Sequence, residues 1–335
     1  MSLRFGIRLI EYLGSSKELI RLATIAEAAG FDSVWFPHDP FMRNTWVLTT
    51  GTAMATSRIE IGSVGTNPYT TDPSELATYA ATLDELSSGR FILGLGLHAT
   101  VMVEWSGIDA SDYLVRTREA VDIIRRLLRG EVVADRREAF RWSDHCYLRF
   151  EPHRADMPIY VAGFGEDYLE LSGEIGDGSL PMITPPASAS YMVPPILRGL
   201  DRRDSAPEPF VISGCGWLSL SEQPQAAADI MRNMVAYFGP YLEAPALAAI
   251  GLTPADFEPL RALVDRGEYE QAQALVTDQM LELGIVGTPD DVIRQIERTA
   301  ELGITEFNLG GPLGPDPEAA IRLMGEKVLP YFRDR

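Results

Sequence analysis

The chain has 335 residues, 46% of them hydrophobic and 23% charged, the balance of a globular protein large enough to bury a substantial core. Its net charge of −19 repels phosphate backbones and anionic bilayers, so neither nucleic acid nor membrane is expected as a partner. No apolar run approaches the roughly 20 residues that cross a bilayer, and Met1-Ser2-Leu3-Arg4 lacks a signal-peptide core. Cys146 and Cys215 lack metal-ligand spacing, which favours reduced thiols in a cytoplasmic protein.

Short β-like runs alternate with amphipathic helical stretches along the chain. Arg4–Ile10 reads as a strand, and Ser15 with Glu18 forms a capping box before Leu19, Leu22, Ala23 and Ala26 recur at helical spacing until Gly30. Ser33–Phe36 is the second strand, Trp46–Thr56 the second helix and Glu60–Val64 the third strand. Asp72-Pro73-Ser74-Glu75 starts a helix running to Leu86. Phe91–Gly96 is the fourth strand, followed by a long helix near Ser111–Leu128.

Residues 130–158 fit no βα unit and read as a β-ribbon excursion. Ile159–Ala162 and Gly178–Met182 are the fifth and sixth strands, each with its helix, Glu166–Ile175 and Ala187–Leu200. Phe210–Leu218 is the seventh strand, followed by the helix Gln223–Tyr237. Residues 239–283 read as an irregular helical insertion, and Thr288-Pro289-Asp290-Asp291 opens another helix. Glu306–Leu309 is the eighth strand and Pro317–Val328 the closing helix.

Eight strands, nearly all followed by helices, predict parallel βαβ units closing into a single TIM-like (β/α)8 barrel domain with insertions. A doubly wound open sheet is the competing fold, weakened by the missing dinucleotide fingerprint after the first strand.

A barrel places its chemistry at the C-terminal ends of its strands. After the second strand, His38 and Asp39 sit between Pro37 and Pro40, a placement suited to proton transfer; a histidine that only hydrogen-bonds its loop is the plainer alternative. The small residues Gly62–Asn67 let backbone approach a flat ligand closely, or form an ordinary turn. Gly94-Leu95-Gly96-Leu97-His98 lacks the full phosphate-loop pattern, so barrel packing explains its glycines equally well, and His98 is a second polar candidate. Ala162-Gly163-Phe164-Gly165 precedes a helix N-terminus, which suits an anionic group. The four histidines, His38, His98, His145 and His153, show no ligand-pair spacing, so no metal is expected.

Thr66-Asn67-Pro68-Tyr69, Leu83-Asp84-Glu85-Leu86-Ser87-Ser88-Gly89-Arg90 and Leu93-Gly94-Leu95-Gly96 resemble the luciferase-like monooxygenase superfamily. Within it the chain is most similar to the F420-dependent, methylenetetrahydromethanopterin reductase-like oxidoreductases. Gly287-Thr288-Pro289-Asp290-Asp291-Val292 and Gly311-Pro312-Leu313-Gly314-Pro315-Asp316 extend the resemblance to the C-terminus. It implies a (β/α)8 barrel, a homodimer, and a deazaflavin or flavin.

By the same resemblance, a non-proline cis peptide at Val64–Gly65 backs the ring, and Val64, Gly65, Thr66, Asn67, Gly96, Leu97 and His98 contact the cofactor. Ala162, Gly163, Phe164 and Gly165 hold its phosphate-bearing tail. The chain departs from relatives in reading His38-Asp39 where they carry Asp-His, and Ala99 where several carry an acid.

The expected function is hydride transfer between coenzyme F420 and a small organic substrate, with His38 handling the proton and Asp39 orienting it. An FMN-dependent monooxygenase is the first alternative and a non-catalytic flavin-binding relative the second. A separate flavin or F420 reductase is the expected functional partner.

Overall fold

The computed structural model describes residues 3–96, 100–134, 137–205 and 209–333. Its strands are β1 (Arg4–Arg8), β2 (Ser33–Pro37), β3 (Glu60–Val64), β4 (Phe91–Gly96), β5 (Ile159–Ala162), β6 (Gly178–Ser179), β7 (Val211–Leu220), β8 (Ile285–Gly287) and β9 (Glu306–Leu313). Each of β1 to β7 pairs in parallel with the next, β7 pairs with β9, and β9 returns to β1. These eight strands close the expected barrel, with β9 in the eighth place. The three-residue β8 extends the far end of β7 outside the ring and is too short to show a periodic pattern.

The helices are α1 (Ser16–Ala29), α2 (Thr45–Ala55), α3 (Pro73–Leu86), α4 (Thr100–Trp105), α5 (Tyr113–Leu128), α6 (Glu166–Ile175), α7 (Ala189–Asp201), α8 (Pro224–Phe238), α9 (Ala244–Ala248), α10 (Pro254–Val264), α11 (Tyr269–Ala274), α12 (Pro289–Ala300), α13 (Pro317–Leu323) and α14 (Leu329–Arg333). Local chemistry sets their ends. Ser15 caps α1 and Gly30, left-handed at φ +90°, stops it; Thr288 and Asp291 form a reciprocal capping box on α12.

Strand alternation sorts side chains into two layers. Phe5, Ile7, Val34 and Phe36 are buried in the main core, whereas Trp35 belongs to the separate buried cluster that includes Tyr160 and Cys215. Trp35 fills the barrel centre because Gly6 and Gly62 make room for it: a Cβ on Gly6 would lie 2.9 Å from its Nε1, and one on Gly62 would fall inside its ring. Its indole N–H donates to Ser33 Oγ (2.8 Å). The N-terminal end of the barrel is closed by ions. Arg4 pairs with Glu60 and with the fully buried Glu306 (2.9 Å), which also accepts from Ser213 Oγ (2.7 Å).

The Leu83–Arg90 motif is structural. Buried Asp84 accepts Arg154 Nε (3.0 Å) and Nη2 (2.6 Å). Arg90 closes the C-terminus of α2 by donating to the carbonyls of Ala53 (3.1 Å), Thr56 (3.1 Å) and Ile59 (2.8 Å). Ser88 and Gly89 make the left-handed turn between the two anchors.

Two expectations are corrected, those for the sixth strand and for the closing helix. Within 130–158 no named strand lies among the described residues, while the backbone N–H groups of Val133 and Arg137 donate to the carbonyls of Cys146 (2.8 Å) and Phe140 (2.8 Å) and Arg141 carries a β-bridge. The carboxylate of Glu119 on α5 takes the backbone N–H groups of Glu138 (3.1 Å) and Ala139 (3.0 Å) at the turn between Arg137 and Phe140. The sixth strand shrinks to Gly178–Ser179 with one isolated bridge, Met182 to Cys215, because Pro181 has no N–H to donate. The closing helix is interrupted by a π turn at Met324–Val328. Between 239 and 283 the chain is helical, and its cluster of Trp217, Met231, Phe257 and Leu260 is separate from the main core. Among the described residues no helix is long and apolar enough to cross a membrane.

Candidate active site

The C-terminal mouth of the barrel gathers the predicted residues from β2 to β5. Leu97 and His98 lie outside the described residues, as does Ala99. Thr66 and Asn67 are fully buried and brace the wall. Thr66 donates to Gly94 O from its backbone N–H (3.1 Å) and its hydroxyl (2.8 Å), and its own carbonyl accepts from Gly96 N (2.7 Å). Asn67 Oδ1 accepts from the N–H groups of Tyr69 (3.2 Å) and Thr70 (3.0 Å). These side chains are occupied in shaping the loop.

The cis peptide expected at Val64–Gly65 is not found. The cis bonds among the described residues are Thr184–Pro185 and Gly311–Pro312, and the chain turns after β3 through Gly65 at φ +78°.

Ala162 ends β5 and is fully buried. A Cβ on Gly163 would press into the Tyr168 ring, whereas one on Gly165 would meet no atom within 4 Å. Gly165, at φ +84°, caps α6 with no side chain on the helix N–H groups. Phe164 lies between these glycines. The opening is therefore flanked by uncapped backbone donors at the start of α6, and Glu166 in that first turn is paired with Arg198 (2.5 Å).

His38 and Asp39 diverge. The His38 backbone N–H donates to Val64 O (2.8 Å), tying the β2 loop to the wall. Its ring lies 6.3 Å from the Trp46 ring, toward α2, and burial pushes its pKa down. No hydrogen bond joins it to Asp39. Asp39 lies just past the end of β2, within electrostatic reach of Arg8 and Glu11. Burial pushes its carboxyl up to about 6, Glu11 adds to the rise and Arg8 opposes it. The Asp39 carboxyl is therefore shifted toward neutrality by burial, while the His38 imidazole, its pKa lowered by burial, lies toward Trp46.

Sequence reasoning missed Arg8, Thr184 and Asn308. Arg8, at the end of β1, is 5% exposed. Its Nη1 makes a weak contact to Met182 Sδ (3.6 Å), its Nε has no partner, and no carboxylate pairs with it among the described residues. Both amide atoms of the fully buried Asn308 and the hydroxyl of Thr184 also lack partners. Leaving a neutral polar group so costs about 1–3 kcal/mol, and a charge more. Alternation from Arg4 offered the signal, since it places Arg8 inside the barrel at the functional end. Cys215 lies nearby, its thiol pushed up to about 11 by burial, hence protonated.

Comparison with known proteins agrees with this geometry. The model of the luciferase-like monooxygenase family matches residues 5–306. The 5,10-methylenetetrahydromethanopterin reductase of Archaeoglobus fulgidus is 32% identical over 99% of this chain and 100% of its own length. That of Methanolobus tindarius is 29% identical over 96% and 98%. The solved coenzyme F420-dependent tetrahydromethanopterin reductase of Methanopyrus kandleri superposes with a TM-score of 0.93 at 26% identity, covering 99% of this chain and 100% of that one. The FMN-bound oxygenating constituent of Pseudomonas putida 3,6-diketocamphane monooxygenase shares the fold, with a TM-score of 0.72 at 16% identity and coverage of 98% and 99%. With barrel order and wall matched by relatives along nearly their whole length, the chain belongs to the luciferase-like monooxygenase family.

Proposed function

We propose that the chain is an F420-dependent oxidoreductase passing a hydride between the deazaflavin and an electrophilic carbon of a small organic substrate. The near-complete superposition on a solved F420-dependent reductase carries this reading. The residues fit such a group. The β3–β5 wall presents tightly packed backbone, the N-terminus of α6 is uncapped beside open space, and the buried Thr184 hydroxyl has no partner. When bound, the deazaflavin supplies the two-electron chemistry.

The chain's own contribution is orientation and proton handling. Val64, Gly65, Gly96 and the backbone braced by Thr66 and Asn67 support the ring, and the 162–165 loop receives the tail. Asp39, at its carboxyl oxygens, exchanges the accompanying proton, and His38 holds the loop beneath it. This assignment exchanges the roles first expected for His38 and Asp39.

Titration of the purified protein with F420 and FMN tests the cofactor. F420 is expected to bind at least about tenfold more tightly, a difference of 1.4 kcal/mol. Preference for FMN, with oxygen consumed on reduction, would make the protein a monooxygenase instead.

A homodimer is part of the proposal. Val47 and Met54, seven residues apart on α2, are 64% and 72% exposed, and Tyr79 and Leu86 repeat the spacing on α3. Such an apolar stripe on a strongly acidic chain suits a second copy of itself. Sedimentation at micromolar concentration is expected to show a dimer, and Val47→Glu with Met54→Glu a monomer. A monomeric wild type ends this part of the reading. Cytoplasmic location and a separate F420 reductase complete the proposal, the former supported by the two free thiols.

A further inference from the structure

We propose that Arg8, with Asn308 one register step deeper on the neighbouring strand of the barrel interior, receives a carboxylate of the substrate, so that this enzyme acts on small carboxylate-bearing acceptors. The inference rests on the reading above for the place of the redox ring.

The chain itself shows what a scaffold arginine looks like. Arg4, two residues before Gly6 on the same strand face, is paired with both Glu60 and Glu306. Arg8 points into the same interior one strand length later with no carboxylate partner among the described residues, and it is more deeply buried than Arg4. The edge of a guanidinium that grips a carboxylate with two parallel hydrogen bonds can be the Nε–Nη2 edge. Here Nε has no partner. A Cβ on Gly310 would lie 2.7 Å from Nη2 and 2.8 Å from Nε, so that edge runs along the Gly310 backbone, where any larger residue would displace the guanidinium. Asn308, two residues before Gly310 on the same face of β9, adds a free Nδ2 donor and a free Oδ1.

The cofactor's own anionic groups are the other source of such a ligand. Topology favours the substrate. In the ring of eight strands β1 stands opposite β5, and β9 opposite β4. A ring backed by the β3–β5 wall therefore turns its free face toward Arg8 and Asn308, where an acceptor must lie for hydride transfer.

The test uses the full chain, with acetate, crotonate and benzoate as probes and their primary amides as controls, read by thermal midpoint and tryptophan fluorescence. The carboxylates are expected to shift both signals saturably, and the amides to bind at least about tenfold more weakly, as the loss of a charge-assisted pair implies. Arg8→Met is expected to abolish the carboxylate response and to raise the midpoint without ligand, because it removes a buried charge with no carboxylate at ion-pair distance among the described residues. Asn308→Ala is expected to weaken carboxylate binding about fivefold.

Absence of a carboxylate response in the wild type, with F420 or without it, overturns the proposal, as does a response that survives Arg8→Met or is unchanged in Asn308→Ala. An Arg8→Met protein that melts lower than wild type, or does not fold, assigns the arginine to the scaffold and also overturns it. Titration with F420 separates the two sources. Affinity within threefold of wild type in Arg8→Met supports a substrate site, and a tenfold loss moves the arginine to the cofactor and rejects the proposal. Failure of F420 to bind the wild type removes the cofactor reading, while the carboxylate arm, read without cofactor, still judges Arg8.

Discussion

Asp39→Asn is expected to lower turnover about a hundredfold or more, the usual contribution of a positioned acid or base, while leaving F420 affinity within about threefold. Its carboxyl is pushed up to about 6 by burial, with Glu11 adding and Arg8 opposing. In the direction that reduces substrate, the protonated form is the active one. The rate constant kcat/KM should therefore be flat below about pH 6 and fall tenfold per pH unit above it. The asparagine variant should lose that limb. A profile that keeps it, or turnover within threefold of wild type, removes Asp39 from proton transfer.

Stability gives an independent check. A carboxyl whose folded pKa is raised contributes stability that is full below its unfolded value and is lost as pH rises through about 6. The shift corresponds to at most about 3 kcal/mol at 1.36 kcal/mol per unit, and partial exposure reduces this to about 1–2 kcal/mol. Asp39→Asn should accordingly melt higher than wild type at pH 8 and no higher at pH 3.5.

His38→Ala separates the two neighbours. Its ring faces Trp46, so its loss is expected to slow turnover about threefold at most. A loss above tenfold with Asp39→Asn nearly unchanged would return proton transfer to the histidine.

Gly94→Ala is expected to yield little folded protein, or protein destabilised by at least about 3 kcal/mol. A Cβ there would land on the carbonyl oxygen of Ser63, which belongs to the backbone of β3 and cannot swing away, with Leu180 Cδ1 at 3.1 Å on the other side. The carbonyl of Gly94 is also the acceptor for both donors of Thr66, so displacing β4 releases the wall. Chemical denaturation measures the cost. A midpoint within the error of wild type would show that β3 and β4 can separate without loss, contrary to the packing.

The elements whose ends carry a local signal were legible in sequence. Glu60–Val64, Phe91–Gly96, Ile159–Ala162 and Glu166–Ile175 occur at the expected residues, since caps, glycines and apolar runs act within a few residues. The excursion at 130–158 is tied to α5 by Glu119, whose carboxylate takes two of its backbone N–H groups from 19 and 20 residues away in sequence, a contact no local pattern announces. The Leu83–Arg90 motif marked the family correctly, yet its buried partners, Arg154 and the end of α2, are apparent only when the chain is folded.

At the site, the identity of the loops could be read from order along the chain, because a parallel barrel puts every strand's C-terminal end at one mouth. The side chains that face it could not. His38 and Asp39 are adjacent and lie just past the last residue of β2, where strand alternation no longer assigns sides, and the phase of β2 sets only the direction in which their loop departs. The phase is set by the closure of the ring and by the large indole that only Gly6 and Gly62 admit to its centre. The same closure brings Arg8 and Asn308, 300 residues apart in sequence, into one barrel interior and leaves the Arg8 Nε and both Asn308 amide atoms without partners. Sequence alone thus determined the order of the strands and the end at which chemistry occurs. Which charges face inward, and which stay unpaired, was decided by tertiary packing, because the burial that shifts a pKa or isolates a cation exists only after distant strands meet.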